Sequence, residues 1–111
     1  MQTIKINCWR EKPENYTGIV EYPDDEIIYY LNGECHREDG PAITMGDGRL
    51  YYYKNGEYHR EDGPAVIRKN GRNEYYLNGK KLKKVKRWIK ENNIPEVWNN
   101  THKILFKLTF G

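Results

Sequence analysis

Apolar and polar residues alternate in short bursts along this chain, and the bursts are separated by Asn-Gly and Gly-Pro pairs. Residues 27–31, 50–54 and 74–77 are short runs rich in Tyr, Ile and Leu and are expected to be strands. Each burst is followed by an Asn-Gly pair: Asn32-Gly33, Asn55-Gly56 and Asn78-Gly79. Both central residues of a type I′ turn need positive φ, which Asn and Gly tolerate, so each pair predicts a hairpin. Glu-Asp-Gly-Pro at 38–41 and 61–64 predicts a second turn, because proline has no N–H to give to a ladder. Short strands are expected after it, over 42–45 and 65–68, with Gly46-Asp47-Gly48 and Asn70-Gly71 closing the next hairpins. The pattern as a whole predicts a meandering antiparallel sheet.

The two ends of the chain read differently. Residues 3–8 alternate like a strand, and 103–110 set Ile104, Phe106, Leu108 and Phe110 against Leu105, Lys107 and Thr109, so a terminal strand is expected there. These two segments are expected to pair or pack at the sheet edges. Between repeat and tail, Leu82, Val85, Trp88 and Ile89 fall at helical spacing and predict a helix over 81–92, stopped by Asn92-Asn93 and Pro95.

The bursts are copies of one unit. Tyr29-Tyr30-Leu31-Asn32-Gly33 returns as Tyr52-Tyr53-Lys54-Asn55-Gly56 and as Tyr75-Tyr76-Leu77-Asn78-Gly79, 23 residues apart each time. Between the first two copies the match runs on, as His36-Arg37-Glu38-Asp39-Gly40-Pro41-Ala42 and His59-Arg60-Glu61-Asp62-Gly63-Pro64-Ala65. A weaker upstream copy sets Tyr16-Thr17-Gly18-Ile19-Val20 against residues 39–43, and there the His-Arg-Glu-Asp stretch is lost. A unit this short cannot bury a face alone, so neighbouring units must stack. The expected fold class is mainly β: an antiparallel β-hairpin repeat sheet with a C-terminal helix and a terminal strand. It forms a single domain over 1–111, with an N-terminal strand or cap at 1–15, repeats at 16–79, and a basic helix plus strand at 80–111.

Composition sharpens this picture. Charged residues make up 32% of the chain, a level that would suggest disorder without its ten Tyr, three Trp and two Phe. Tyr suits a thin structure, burying a ring while its hydroxyl stays wet, so a shallow aromatic core is expected. No apolar run is long enough to span a bilayer, and the first residues lack the pattern of a signal peptide, so a cytoplasmic location without membrane attachment is expected. Cys8 and Cys35 are then expected as thiols, with a single bridge as the alternative.

The Tyr-x-Asn-Gly unit, in its full form Asn-Gly-x-x-His-Arg-Glu-Asp-Gly-Pro-Ala, resembles a divergent MORN-type repeat. It is the variety found in YwqK-like antitoxin proteins and in repeat proteins of bacteriophages and large DNA viruses. The resemblance spans about residues 16–79. It implies a MORN-like ladder of antiparallel hairpins and a scaffold or inhibitory role, with no catalytic residues.

His36-Arg37-Glu38-Asp39 and His59-Arg60-Glu61-Asp62 hold acid, base and cation together, yet an active site is needed once and this stretch is copied at a fixed period. A structural role is therefore expected for His36, Arg37, Asp39, Gly40, Pro41, His59, Arg60, Asp62, Gly63 and Pro64. In that role Arg and carboxylates pair between neighbouring units and Asp opens the turn. Cys8, Cys35, His36, His59 and His102 lack metal-ligand spacing, and the glycines lead into strands rather than into a phosphate-binding helix. Neither metal nor cofactor is expected, and the chain reads as a binding protein rather than an enzyme.

Charge is segregated. Residues 1–79 carry ten Lys or Arg against fourteen Asp or Glu, whereas 80–111 carry nine against two. Lys80, Lys81, Lys83, Lys84, Lys86, Arg87 and Lys90 are expected opposite the apolar stripe of one helix, as a basic face. That face either keeps a docked cap in contact with water, or meets an acidic protein surface with exposed Tyr or Trp as anchors. Nucleic acid held through its phosphates is the alternative partner, and a free sheet edge could pair with a second copy. The functional expectation is a phage or mobile-element accessory protein that binds and inhibits, or neutralises, a cellular protein.

Overall fold

The computed structural model describes residues 2–6 and 14–111; Met1 and residues 7–13, with Asn7 and Cys8 at the end of the expected first strand, lie outside the described residues. The described strands are β1 (Thr3–Lys5), β2 (Gly18–Tyr22), β3 (Glu26–Leu31), β4 (Glu34–Cys35), β5 (Ile43–Thr44), β6 (Leu50–Tyr51), β7 (Tyr53–Lys54), β8 (Glu57–Tyr58), β9 (Val66–Ile67), β10 (Tyr75–Leu77) and β11 (Lys80–Leu82). Two helices follow, α1 (Val85–Glu91) and α2 (Asn100–Phe110). The chain is mainly β with a helical C-terminal part.

Among the described residues, seven strands form one sheet in the order β1-β2-β3-β5-β6-β9, with β4 also on β3, and β7–β8 and β10–β11 are separate hairpins. The Asn-Gly turns close β3–β4, β7–β8 and β10–β11. At each the Asn has φ 50°, and the glycines have 83°, 79° and 80°. These are the left-handed values that the turn chemistry demands.

Three features depart from the expected meander. β1 runs parallel to β2, with Ile4 opposite Val20; a parallel neighbour cannot be reached through a tight turn and needs a long connection, which the chain before β2 provides. The 50–54 burst is split at Tyr52, so that β6 lies in the main sheet while β7 belongs to a hairpin. The expected helix over 81–92 is shorter than its apolar spacing suggests. The Asn78-Gly79 turn folds residues 80–82 back as β11, with Leu82 opposite Tyr75, and Lys84 at φ 67° separates that strand from α1.

The expected terminal strand at 103–110 is instead α2. Ile104, Phe106, Leu108 and Phe110 alternate, but a strand would bury them together, whereas Phe106 is 0% exposed and Leu108 77%. Phe106 and Phe110 are one helical turn apart and share the inner face. A local signal also opens the helix: Asn99 Oδ1 accepts from His102 N–H at 3.0 Å, and His102 Nδ1 accepts from Asn99 N–H at 3.1 Å, a capping box with His in the third position.

The molecule is elongated, 47 × 27 × 21 Å, and has an apolar cluster in each half. One gathers Ile6, Val20, Tyr22, Ile28 and Tyr30. The other gathers Leu77, Val85, Ile94, Trp98 and Phe106, with ring contacts at 5.0 Å between Trp98 and Phe106 and 5.6 Å between Trp88 and Phe110. Between them the rings of Tyr53, Tyr58 and Tyr76 form a ladder, with centroids 4.6 and 4.9 Å apart. This is the shallow aromatic core of a structure built from short units.

Candidate anion-binding surface

The two His-Arg-Glu-Asp segments make the same contacts. His36 Nδ1 accepts the Asn55 N–H at 3.0 Å and His59 Nδ1 accepts the Asn78 N–H at 2.9 Å. The other ring nitrogen, which must then carry the proton, donates to Glu38 in the first copy and Glu61 in the second, at 3.0 Å in both. Each Arg bonds the Asp two residues on, at 2.9 and 2.8 Å, reaches the proline carbonyl of Pro41 or Pro64, and lies 4.1 or 4.0 Å from the ring centre of Tyr29 or Tyr52. The expected Arg–carboxylate pairing between units is therefore pairing within a unit. An i, i+2 partner is nearest because the turn folds Asp back over its own arginine. What crosses between units is the histidine ring together with backbone bonds, Gly56 N–H to Cys35 O and Gly79 N–H to Tyr58 O, both 2.9 Å.

Gly63 belongs to this arrangement, since a Cβ there would sit 2.9 Å from the Arg60 guanidinium carbon. In the first unit, where the motif is lost, the Thr17 hydroxyl accepts the Asn32 N–H at 2.9 Å in place of an imidazole. No group of three or more His, Cys, Asp or Glu that could hold a metal occurs among the described residues. Both nitrogens of His36 and His59 are already engaged in the ladder.

The basic residues do not share one helix. Lys80 and Lys81 lie on β11, Lys83 and Lys84 in the turn after it, and Lys86, Arg87 and Lys90 on α1. Arg87 pairs with Glu91 one turn on, at 2.8 Å. Lys81, Lys84 and Lys86 converge with Arg68 and Arg72 around a cavity of about 580 Å³, whose apolar lining comes from Tyr75, Leu82 and Val85. Lys80 lines a different cavity, and Lys83, Arg87 and Lys90 line neither.

Glu74 is the one carboxylate in the lining of that basic cavity. Arg68 binds it at 2.9 Å and Lys81 binds its other oxygen. The hydrogen bond from Lys81, with the Arg68 charge behind it, holds the Glu74 carboxyl below its ordinary pKa, and Lys81 is raised in return. Arg72, Lys84 and Lys86 are exposed and have no carboxylate within salt-bridge distance among the described residues. The site thus has an internally neutralised centre ringed by cations able to receive an anionic group.

Sequence reasoning missed Arg68 and Arg72. They flank an Asn-Gly turn in Arg68-Lys69-Asn70-Gly71-Arg72, and a hairpin there sets its two arms side by side. Among the described residues the expected aromatic anchors are not exposed either: every Tyr is buried or half-buried, Trp88 is half-buried and Trp98 buried, while Trp9 lies outside the described residues. The exposed large apolar side chains among the described residues are Leu31, Val97, Ile104, Leu105 and Leu108.

No protein-family model, curated protein or solved structure matches this chain. Among the described residues, no helix is long and apolar enough to cross a membrane.

Proposed function

We propose that this protein is a non-enzymatic binding module that docks on an acidic surface of a cellular protein and inhibits or neutralises it. The observation that carries this reading is the cavity in which five cations face one already-paired carboxylate. Such a site gathers an anionic partner and steers its approach. The MORN-type resemblance of the repeats supports a scaffold or inhibitory role of phage or mobile-element type. The repeated histidines support a non-catalytic use of the ladder, because each ring is consumed by the same structural bonds in both copies.

The same cations could hold phosphates, which makes nucleic acid the second reading. A protein partner is favoured by the exposed Val97, Ile104, Leu105 and Leu108, because a sugar–phosphate backbone offers nothing apolar to cover them. The test compares the wild-type chain with an Arg72→Glu/Lys84→Glu/Lys86→Glu variant as bait in a cell lysate at low salt. A stoichiometric protein held by the wild type and lost by the variant is the expected result. Capture that survives the charge reversal, or no partner at all, defeats the proposal. Salt-steep binding of oligonucleotides by the wild type in place of a protein would decide for the alternative.

A further inference from the structure

α2 carries a second apolar stripe on the side away from its core. Ile104 and Leu108 are 58% and 77% exposed, and Leu105 beside them is 44% exposed. Successive residues advance by about 100° around a helix, so Lys103 and Lys107 form the next row, between this stripe and the repeat ladder. That row overlooks two cavities. One, of about 410 Å³, is lined by both Arg-Glu-Asp turns with Lys54 and Lys103; the other, of about 690 Å³, is lined by Leu77, Leu82, Phe110, Lys54, Lys80 and Lys107. Lys54, His59 and Glu61 line both, so the two meet as one groove along the helix.

The acidic groups of this groove are committed. Asp39 is bound by Arg37 and Asp62 by Arg60, Glu61 is held by both His59 and Lys107, each at 3.0 Å, and Glu38 by the neutral ring of His36 at 3.0 Å. Lys54, Lys80 and Lys103 have no carboxylate within salt-bridge distance among the described residues. With Lys54, Lys80 and Lys103 set against the single carboxylate of Glu38 that no cation holds, the groove keeps an excess of positive charge and runs beside an uncovered aliphatic stripe.

We infer that this groove and stripe receive one acidic, amphipathic segment of a partner protein. Its aliphatic side chains would cover Ile104 and Leu108, and its carboxylates would reach Lys54, Lys80 and Lys103. The inference rests on the reading that the chain works by binding a protein, and adds a second contact with a stated occupant. Charge argues against a symmetric contact of this face with its counterpart on a second copy, since residues 80–111 carry nine Lys or Arg against two Asp or Glu and two such faces repel; a head-to-tail contact with the acidic residues 1–79 is the outcome that the dilution series reads. Shape argues against a lipid surface, which cannot fill a concave groove. α2 is 11 residues long, so a segment of about 10–14 residues matches it.

The test titrates the isotope-labelled full chain with a capped peptide of about 14 residues, Leu on one helical face and Glu elsewhere. A Lys-for-Glu version, phosphatidylserine-containing vesicles and a dilution series of the chain alone run beside it. Saturable amide shifts at Lys54, Lys103, Ile104 and Leu108 are expected with the Glu peptide only. Lys54→Glu/Lys103→Glu should weaken that binding by about tenfold or more. Leu108→Ser, at a site too exposed to unfold the chain, should weaken it as well. Equal binding of the Lys peptide, shifts driven by vesicles or by self-association, or no saturable shift up to about 1 mM peptide would overturn the inference. Shifts confined to Arg72, Lys84 and Lys86 would overturn it while leaving the proposed function standing, whereas failure of lysate capture bears on the function alone.

Discussion

The imidazole of His59 does a backbone's work, accepting the N–H of Asn78 in the next unit, and His36 does the same for Asn55. Removing either ring leaves a turn N–H without its acceptor, so His36→Ala and His59→Ala should each cost about 1–2 kcal/mol in urea unfolding. Similar losses are the expected outcome. A large loss of function at one histidine without loss of stability would instead mark a reacting group.

Glu26 is the opposite case, a carboxyl that resists its site. It is 7% exposed, and burial raises its pKa against the opposing pull of Arg49. A raised folded-state pKa means that the protonated form is favoured in the fold. Its contribution is therefore present in acid and is lost as pH rises through that pKa. Glu26→Gln should accordingly stabilise the protein at pH near 7, with the gain vanishing at about pH 3, as read from denaturation midpoints at the two values.

At the scale of elements, α2 is held by its inner face and by one ion pair to the ladder. Phe106 is fully buried and Leu108 is not, so Phe106→Ala should cost about 3–5 kcal/mol while Leu108→Ala stays within about 0.5. A strand there would make the two losses alike. The ion pair adds a pH dependence of opposite sign to that of Glu26. The hydrogen bond from His59, then that from Lys107, lowers the pKa of Glu61. A lowered pKa gives stability that is present above the unfolded value and lost as pH falls through the folded one. Glu61 is partly exposed, so the effect is under about 1 kcal/mol. Trp88 and Trp98 lie in the cluster that α2 covers. Their fluorescence should therefore report loosening below about pH 4, and Glu61→Gln should remove the part that depends on this pair.

For the molecule as a whole, the design is a ladder with a different closure at each end. Where the last unit has no further Arg to lay on its first tyrosine, Tyr75 meets Phe106 of α2 at 6.5 Å. Middle units should therefore be interchangeable. A chain with residues 36–58 duplicated in tandem should fold and unfold in a single transition, and be longer in solution by about 10 Å, two strand spacings. Loss of cooperative unfolding would show that the copies are not equivalent.

Local chemistry made the repeat part legible. Asn-Gly admits few backbone shapes, and a motif copied at fixed spacing meets the same surroundings each time, so hairpins and mainly β character could be read from residues alone. Alternation failed at 103–110 because a period of two and a period of 3.6 coincide at Phe106 and Phe110, and packing against Trp88 and Trp98 chose between them. Lysines 80–90 were visible as charge, but not their division between strand, turn and helix, nor the arrival of Arg68 and Arg72 from an earlier hairpin. The order of residues determined the building unit and the total charge. Which charges stand together was decided only when the chain closed on itself, since a cavity is made by segments whose separation in sequence carries no trace of their distance in space.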